Sequence, residues 1–105
     1  MKRRLDGEVA IVTGAAQSIG LAVADASVEV GEAGIGRTPI VLDVRDRASI
    51  EAAVDEVERT LGTPTVLVNN AAVNRIGPAE SLGEEDWALV LDVNLSGVFR
   101  CCQIV

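Results

Sequence analysis

A continuous apolar segment that closes on a glycine constrains the fold of this chain more than any other feature. Residues 9–13, Val-Ala-Ile-Val-Thr, carry no charge and run directly into Gly14. Such a run is typical of a strand buried on both faces of a parallel sheet. Two further runs of the same kind lie at residues 40–42 and 66–68. Short apolar runs that alternate with helical patterns predict three parallel strands and an α/β fold.

Helical periodicity follows the second and the third run. Apolar residues from Ile50 to Leu61 recur at helical spacing with charged residues opposite, and Gly62 with Pro64 predicts the end of that helix. A last helix is predicted from about Glu84 to the end of the chain. Ser81 stands where a capping box would place its serine, and Gly97 is a point where the helix can bend. The 105 residues are expected to form a single domain.

Composition excludes several classes of partner. Nine Lys and Arg against sixteen Asp and Glu give a net charge of −7, so no nucleic acid is expected to bind. No apolar stretch approaches the roughly 20 residues of a membrane helix. The basic N-terminus, residues 1–4, is not followed by an apolar segment, which predicts a cytoplasmic location.

The only two cysteines, Cys101 and Cys102, are adjacent. Adjacent cysteines bridge poorly in a helix, so both are expected to be reduced. No metal site is predicted.

A glycine-containing loop follows the first predicted strand. Residues 13–20 read Thr-Gly-Ala-Ala-Gln-Ser-Ile-Gly, and a helix is expected from about Leu21. Small residues let the backbone approach a pyrophosphate, whose charge the free N–H groups and the dipole of the following helix stabilise. A Walker loop is excluded, because five residues separate Gly14 from Gly20 and Leu21 stands where lysine is required. The glycines by themselves also fit a plain turn.

Three blocks of sequence together resemble the short-chain dehydrogenase/reductase family. Thr13, Gly14 and Gly20 match its Thr-Gly-x-x-x-Gly-x-Gly turn, and residues 69–72 resemble its Asn-Asn-Ala-Gly block. Residues 92–95 resemble the helical segment that carries its structural and catalytic Asn. The resemblance implies a partial Rossmann fold, a three-layer αβα arrangement with a short parallel sheet. It also implies NAD or NADP as the cofactor and a small carbonyl or alcohol as the substrate.

The resemblance also assigns site residues. The cofactor-binding residues are Gly14, Gln17, Ser18, Ile19, Gly20, Asp43, Val44, Asn70, Ala71 and Ala72, and Asn94 is the catalytic residue. Two of them depart from the family pattern, because Ser18 and Ala72 stand where the family has glycine. A Cβ at Ser18 is predicted to weaken cofactor binding, since backbone and pyrophosphate nearly touch there.

Asp43 supports three interpretations. It lies 23 positions after Gly20, close to the interval at which a Rossmann acid binds the ribose hydroxyls. By resemblance, Asp43 and Val44 are instead the pair that contacts the adenine ring. A third interpretation is a strand-end Asp that caps the following turn. Residues 27–38 are too short for the family's second strand and helix, so the sequence does not separate NAD from NADP.

The remaining catalytic residues of the family have no counterpart here. The family uses an Asn-Ser-Tyr-Lys set, whereas this chain has Asn94, no Tyr, no His and a single Lys at position 2. It also ends at Val105, before the family's fifth strand would begin, which predicts a partial or truncated member. Since the reaction needs a proton donor at the carbonyl, hydride transfer by this chain alone is expected to be negligible.

Two functions are therefore expected. One is the cofactor-binding portion of an oxidoreductase, and the other is a non-catalytic module for cofactor binding or oligomerisation. By resemblance, the helix that holds Asn94 pairs between subunits. Apolar Val98, Phe99, Ile104 and Val105 would then need cover, which predicts a homo-oligomer formed through the C-terminal helix.

Overall fold

Two parallel strands form the sheet in the part of the chain that the structure describes. The structure is a computed structural model, and it describes Leu5, residues 7–14 and residues 40–105. Strand β1 spans Ala10–Val12 and strand β2 spans Val66–Val68, with Ile11 opposite Leu67. The Thr13 N–H donates to the Val68 carbonyl at 3.0 Å and extends the pairing beyond β1. The predicted α/β fold with a short parallel sheet is confirmed.

The helix between the sheet strands begins and ends at local signals. Helix α1 spans Arg47–Thr60, and the Asp46 side chain accepts a hydrogen bond from the Ala48 N–H at its first turn. This acceptor satisfies one of the free donors at a helix N-terminus. Gly62 follows the helix with a φ of +108°, in the left-handed region that favours glycine. The predicted crossover helix is confirmed, although the cap at Asp46 was missed.

The C-terminal region is helical over its whole length. Helix α2 spans Glu84–Leu91, a π-helical segment spans Asp92–Ser96, and helix α3 spans Gly97–Ile104. A short 3₁₀ turn at Ala79–Ser81 precedes α2. The predicted last helix is therefore confirmed. None of the helices in the described ranges is long and apolar enough to cross a membrane.

The prediction of a strand at residues 40–42 was wrong. These residues have no strand assignment, and Val41 is 98% exposed. A strand exists only where a neighbour completes its backbone hydrogen bonds, and no described strand pairs with this segment. An apolar run therefore does not by itself make a strand. The helix predicted from Leu21 lies outside the described residues.

One prediction about the start of the last helix was also wrong. Ser81 does not cap α2, because its hydroxyl donates to the Pro78 carbonyl at 3.3 Å and Gly83 occupies the N-cap position. Gly97 closes the π segment, because its N–H donates to the Asp92 carbonyl, and a bend of the helix at this point stays a prediction. Gly97 is buried, and a Cβ added there would lie 2.8 Å from Cγ2 of Val44. Close packing explains this glycine.

The hydrophobic core lies between one face of the sheet and the helices. Its buried residues are Val44, Ile50, Val54, Val93 and Cys101, and Ile11 with Leu67 packs against them from the sheet. Burial of these side chains is the main stabilising contribution to the arrangement. The cysteines are both free, as predicted, with Cys101 buried and Cys102 exposed.

Candidate functional site

The carboxyl ends of β1 and β2 meet at one edge of the sheet, where a buried hydroxyl joins them. Thr13 is 5% exposed, and its Oγ1 accepts hydrogen bonds from the N–H groups of Asn70 and Ala71, both at 3.0 Å. In open α/β sheets, ligands bind outside the carboxyl ends of the strands. Thr13 matched the family pattern in the sequence, but only the structure shows that it anchors residues 70 and 71.

Gly14 makes a close approach to the same segment. Its φ is +65°, and a Cβ placed on it would lie 3.0 Å from Cα of Ala71 and 3.0 Å from Nδ2 of Asn70. The side-chain amide of Asn70 donates through Nδ2 to the Gly14 carbonyl at 3.1 Å. Both the backbone conformation and the lack of space therefore require glycine here. The structure thus brings three of the predicted site residues together, while Gln17, Ser18, Ile19 and Gly20 lie outside the described residues.

Asn94 holds the chain just beyond this junction. Its Oδ1 accepts from the Val73 N–H at 2.8 Å, and its Nδ2 donates to the Val73 carbonyl at 2.9 Å. Residues 71–73 are thus held by Thr13 at one end and by Asn94 at the other, with Ala72 exposed between them. The side chain of Asn94 is engaged with backbone, and its catalytic role stays a prediction.

Asp43 lies in a turn of its own. Its carboxylate accepts from the Arg45 N–H at 2.9 Å and from the Arg45 guanidinium at 3.1 and 2.9 Å. These hydrogen bonds from Arg45 hold the pKa of Asp43 below its usual range. The geometry is that of the turn-capping interpretation. Contact of Asp43 and of the largely buried Val44 with the adenosine part of a cofactor stays a prediction.

A further network, which the sequence did not reveal, surrounds Arg100. The guanidinium bonds Oδ1 of Asp92 at 2.6 Å and the carbonyl of Val44 at 3.0 Å. Asp92 and Arg100 stand eight residues apart, and only pairs three or four apart indicate helical neighbours in a sequence. No spacing signal therefore pointed to them. Among the described residues no group of His, Cys, Asp and Glu has the arrangement of a metal site.

Comparison with known sequences places this geometry in a family. The sequence model for short chain dehydrogenases matches residues 29–105. The chain is 41% identical to the D-threitol dehydrogenase of Mycolicibacterium smegmatis, over 97% of this chain and 47% of that protein. It is 37% identical to a 3-oxoacyl-[acyl-carrier-protein] reductase of Thermotoga maritima, over 97% of this chain and 50% of that protein. The chain thus spans about half the length of the curated relatives it matches.

Solved structures agree with the sequences. A gluconate 5-dehydrogenase from Burkholderia cenocepacia, in complex with NADP and tartrate, superposes with a TM-score of 0.88 at 34% identity, over 99% of this chain and 49% of that one. The ligand-free aldohexose dehydrogenase of Thermoplasma acidophilum gives a TM-score of 0.86 at 30% identity, over 99% and 45%. The partial Rossmann fold is confirmed, and the chain belongs to the short chain dehydrogenase family.

Proposed function

We propose that this chain is the NAD(P)-binding portion of a short-chain oxidoreductase that acts on carbonyl or alcohol substrates. The observation that carries the proposal is the junction of Thr13 and Gly14 with Asn70 and Ala71, at the carboxyl edge of the sheet. A dinucleotide binds at such an edge in Rossmann folds. The NADP complex of the similar gluconate 5-dehydrogenase supports the choice of cofactor.

The described residues fit a dinucleotide. Gly14 turns the chain sharply at the end of β1, at the point where the pyrophosphate loop begins, and leaves no room for a side chain. Asn94 and Thr13 keep residues 71–73 in one conformation beside that turn. A bound nicotinamide ring supplies or accepts the hydride. The protein residues at the described edge bind and orient the cofactor.

We propose further that the 105-residue chain alone transfers no hydride. A general acid or base with a suitable pKa must lie at the carbonyl oxygen of the substrate. The chain contains neither Tyr nor His, and its single Lys is at position 2. Cofactor binding without turnover is therefore the expected behaviour of this chain.

Titration with NADH and NADPH tests the binding. Fluorescence of Trp87 and of the reduced cofactor reports the complex, and Gly14→Ala is expected to abolish it by crowding Asn70 and Ala71. Gly7→Ala is the matched control, since Gly7 also has a positive φ, +82°, but nothing within 4 Å of its Cβ position. Absence of binding by the wild type, or equal binding by Gly14→Ala, contradicts the proposal.

A turnover assay tests the catalytic half. The substrate panel includes D-threitol, gluconate and an aldohexose, after the names of the similar dehydrogenases. No change in NAD(P)H absorbance above the protein-free rate is expected. Measurable turnover by the purified wild-type chain that is lost in the Gly14→Ala variant would show that this chain does not need the family's Tyr.

Self-association through the C-terminal helices is a second candidate function. Trp87, Leu95 and Phe99 are 60%, 65% and 58% exposed, and such a patch favours an interface between subunits. Val105 is 37% exposed, whereas Ile104 packs against the core. Leu95→Glu is expected to lower the sedimentation coefficient if the chain is an oligomer, and a wild type that sediments as a monomer contradicts this candidate.

Two further points remain predictions, namely that residues 1–105 form one domain and that the protein is cytoplasmic.

A further inference from the structure

Arg100 connects the two ends of the candidate site. Its side chain is 22% exposed and projects from α3 toward two other backbone segments. One nitrogen donates to the Val44 carbonyl at 3.0 Å, and the other bonds the Asp92 carboxylate at 2.6 Å. A charged donor that is partly buried and satisfied on both sides holds its partners in a fixed relation.

The Asp92 end of this network is the start of the π segment. The Gly97 N–H donates to the Asp92 carbonyl, which is the i to i+5 bond of a π turn. Arg100 donates to the same carbonyl at 3.4 Å and to the carboxylate of the same residue. π turns are rare and concentrate at functional sites. This π turn contains Asn94, whose side-chain amide makes two hydrogen bonds to the backbone of Val73.

The Val44 end of the network is the turn that holds Asp43. Val44 is 6% exposed, and the missing side chain of Gly97 lets α3 approach it closely. The hydrogen bonds from Arg45 lower the pKa of Asp43, and the positive charge of Arg100 lowers it further. Arg100 therefore acts on the segment that the proposed function assigns to the adenosine part of the cofactor.

We propose that Arg100 is a positioning residue of the cofactor site. It holds the π turn from which Asn94 bonds the backbone of Val73, and it also fixes the turn of Asp43 and Val44. This inference rests on the proposed function, which assigns the segment at Val73 and the turn of Asp43 and Val44 to the cofactor site. The hydrogen bonds of Arg100 to described residues go to Val44 and Asp92, and not to the junction at Thr13. Its action passes through the backbone that it binds.

Amide hydrogen exchange of the cofactor-free chain, measured by NMR, tests the positioning directly. The Val73 amide reports the bond to Asn94, and the Asp43 amide reports its bond to Ser49 Oγ at 2.9 Å. Arg100→Met is expected to speed exchange at both amides about tenfold, because a charge-assisted hydrogen bond is lost at each end. Amides of α1 serve as the internal reference and are expected to change less than about twofold.

Arg59→Met is the matched control, since it removes the same charge from an exposed position on α1, where Arg59 pairs with Glu56. It is expected to change neither reporter amide. Equal acceleration of exchange at all amides in Arg100→Met would mean a general loss of stability. If, in addition, the two reporter amides exchange in Arg100→Lys as they do in the wild type, the proposal is overturned. Lysine keeps the charge but not the two-armed geometry, so Arg100→Lys is expected to accelerate the same two amides by about threefold.

Cofactor titration separates this inference from the proposed function. If the wild type binds NADH or NADPH, Arg100→Met is expected to raise the dissociation constant about tenfold while Arg59→Met leaves it unchanged. Failure of the wild type to bind overturns the proposed function, but the exchange experiment still decides whether Arg100 positions both segments. Reporter amides that exchange as in the wild type overturn the positioning role, whatever the cofactor does.

Discussion

The hydroxyl of Thr13 contributes more than its size suggests, because it satisfies two backbone donors at once. Replacement by valine keeps the shape but leaves the N–H groups of Asn70 and Ala71 without their acceptor. Thr13→Val is expected to lower the free energy of unfolding by about 2 kcal/mol, the cost of leaving buried donors unpaired. Urea denaturation measures this.

Thr63→Val is the control for this experiment, since Thr63 is exposed. It is expected to change the free energy of unfolding by less than about 0.5 kcal/mol. A similar effect of the two substitutions would show that the exchange of a hydroxyl for a methyl group itself, rather than the lost acceptor for Asn70 and Ala71, destabilises the chain.

The two adjacent cysteines are expected to differ in reactivity, because one thiol is buried and the other is exposed. Cys101 is 1% exposed, and burial together with the neighbouring Cys102 raises the pKa of its thiol. Cys101 therefore stays protonated at neutral pH, while Cys102 is exposed to reagent. Iodoacetamide at pH 8 is expected to label Cys102 first, as peptide mass spectrometry would show.

Single substitutions identify the labelled thiol. Cys102→Ser is expected to remove the fast labelling phase, and Cys101→Ser is expected to keep it. Fast modification of Cys101 in the native chain would mean that the core around α3 opens more readily than its packing indicates.

At the scale of elements, the contact between α3 and the turn at Val44 depends on the absence of a side chain at Gly97. A Cβ there would lie 2.8 Å from Cγ2 and 3.0 Å from Cβ of Val44, whose branched side chain rotates at a cost. Alanine favours helix by about 1 kcal/mol, and overpacking costs about 1–3 kcal/mol. Gly97→Ala is therefore expected to destabilise the chain by about 1 kcal/mol in urea denaturation.

Gly77→Ala is the matched substitution, because nothing lies within 4 Å of the added Cβ. It is expected to leave the free energy of unfolding nearly unchanged. If Gly97→Ala instead stabilises the chain, helix propensity outweighs the contact and Val44 moves without penalty.

Elements were predictable where a local signal marks them. Helix α1 has an apolar face and a glycine after its end, and these two signals predicted it, whereas its cap at Asp46 was missed. The segment at residues 40–42 carried an equally apolar run, yet it is not a strand. Strand formation depends on a partner that lies elsewhere in the chain, and a local pattern does not contain that partner.

For the whole molecule, acid sensitivity includes a contribution from the turn at Asp43. The pKa of Asp43 is lowered from 3.8 in the folded chain, first by the side-chain hydrogen bond from Arg45. A depressed carboxyl pKa stabilises the fold above pH 3.8, and that stabilisation is lost as the pH falls through the lower, folded-state pKa. The effect is modest, because both side chains of the pair are about half exposed.

Asp43→Asn is expected to flatten the dependence of the free energy of unfolding on pH between about 5 and 2, since the titrating group is gone. Asp55→Asn, at an exposed position of α1, is the control for the removal of one negative charge. An equal flattening by both variants would assign the effect to the net charge of −7 rather than to the pair with Arg45.

The sequence by itself determined the α/β class, the strands at residues 9–13 and 66–68 to within one residue at each end, helix α1, and a helical region from Glu84 onward without its π segment. These features follow from the period of apolar residues and from the glycines and prolines between them, which are local properties of a chain. Resemblance to a family located Gly14, Asn70 and Asn94. What only the tertiary structure decided is how those residues are held.

The contacts that hold the site join distant parts of the chain. Thr13 bonds residues 57 and 58 positions away, Arg100 bonds the carbonyl 56 positions before it, and Asn94 bonds Val73 across 21 positions. Such pairs form only when the core brings the sheet edge and the C-terminal helices together. Hydrogen bonds depend on distance and angle within a few tenths of an ångström. A one-dimensional pattern specifies neither, whereas the packed tertiary structure specifies both.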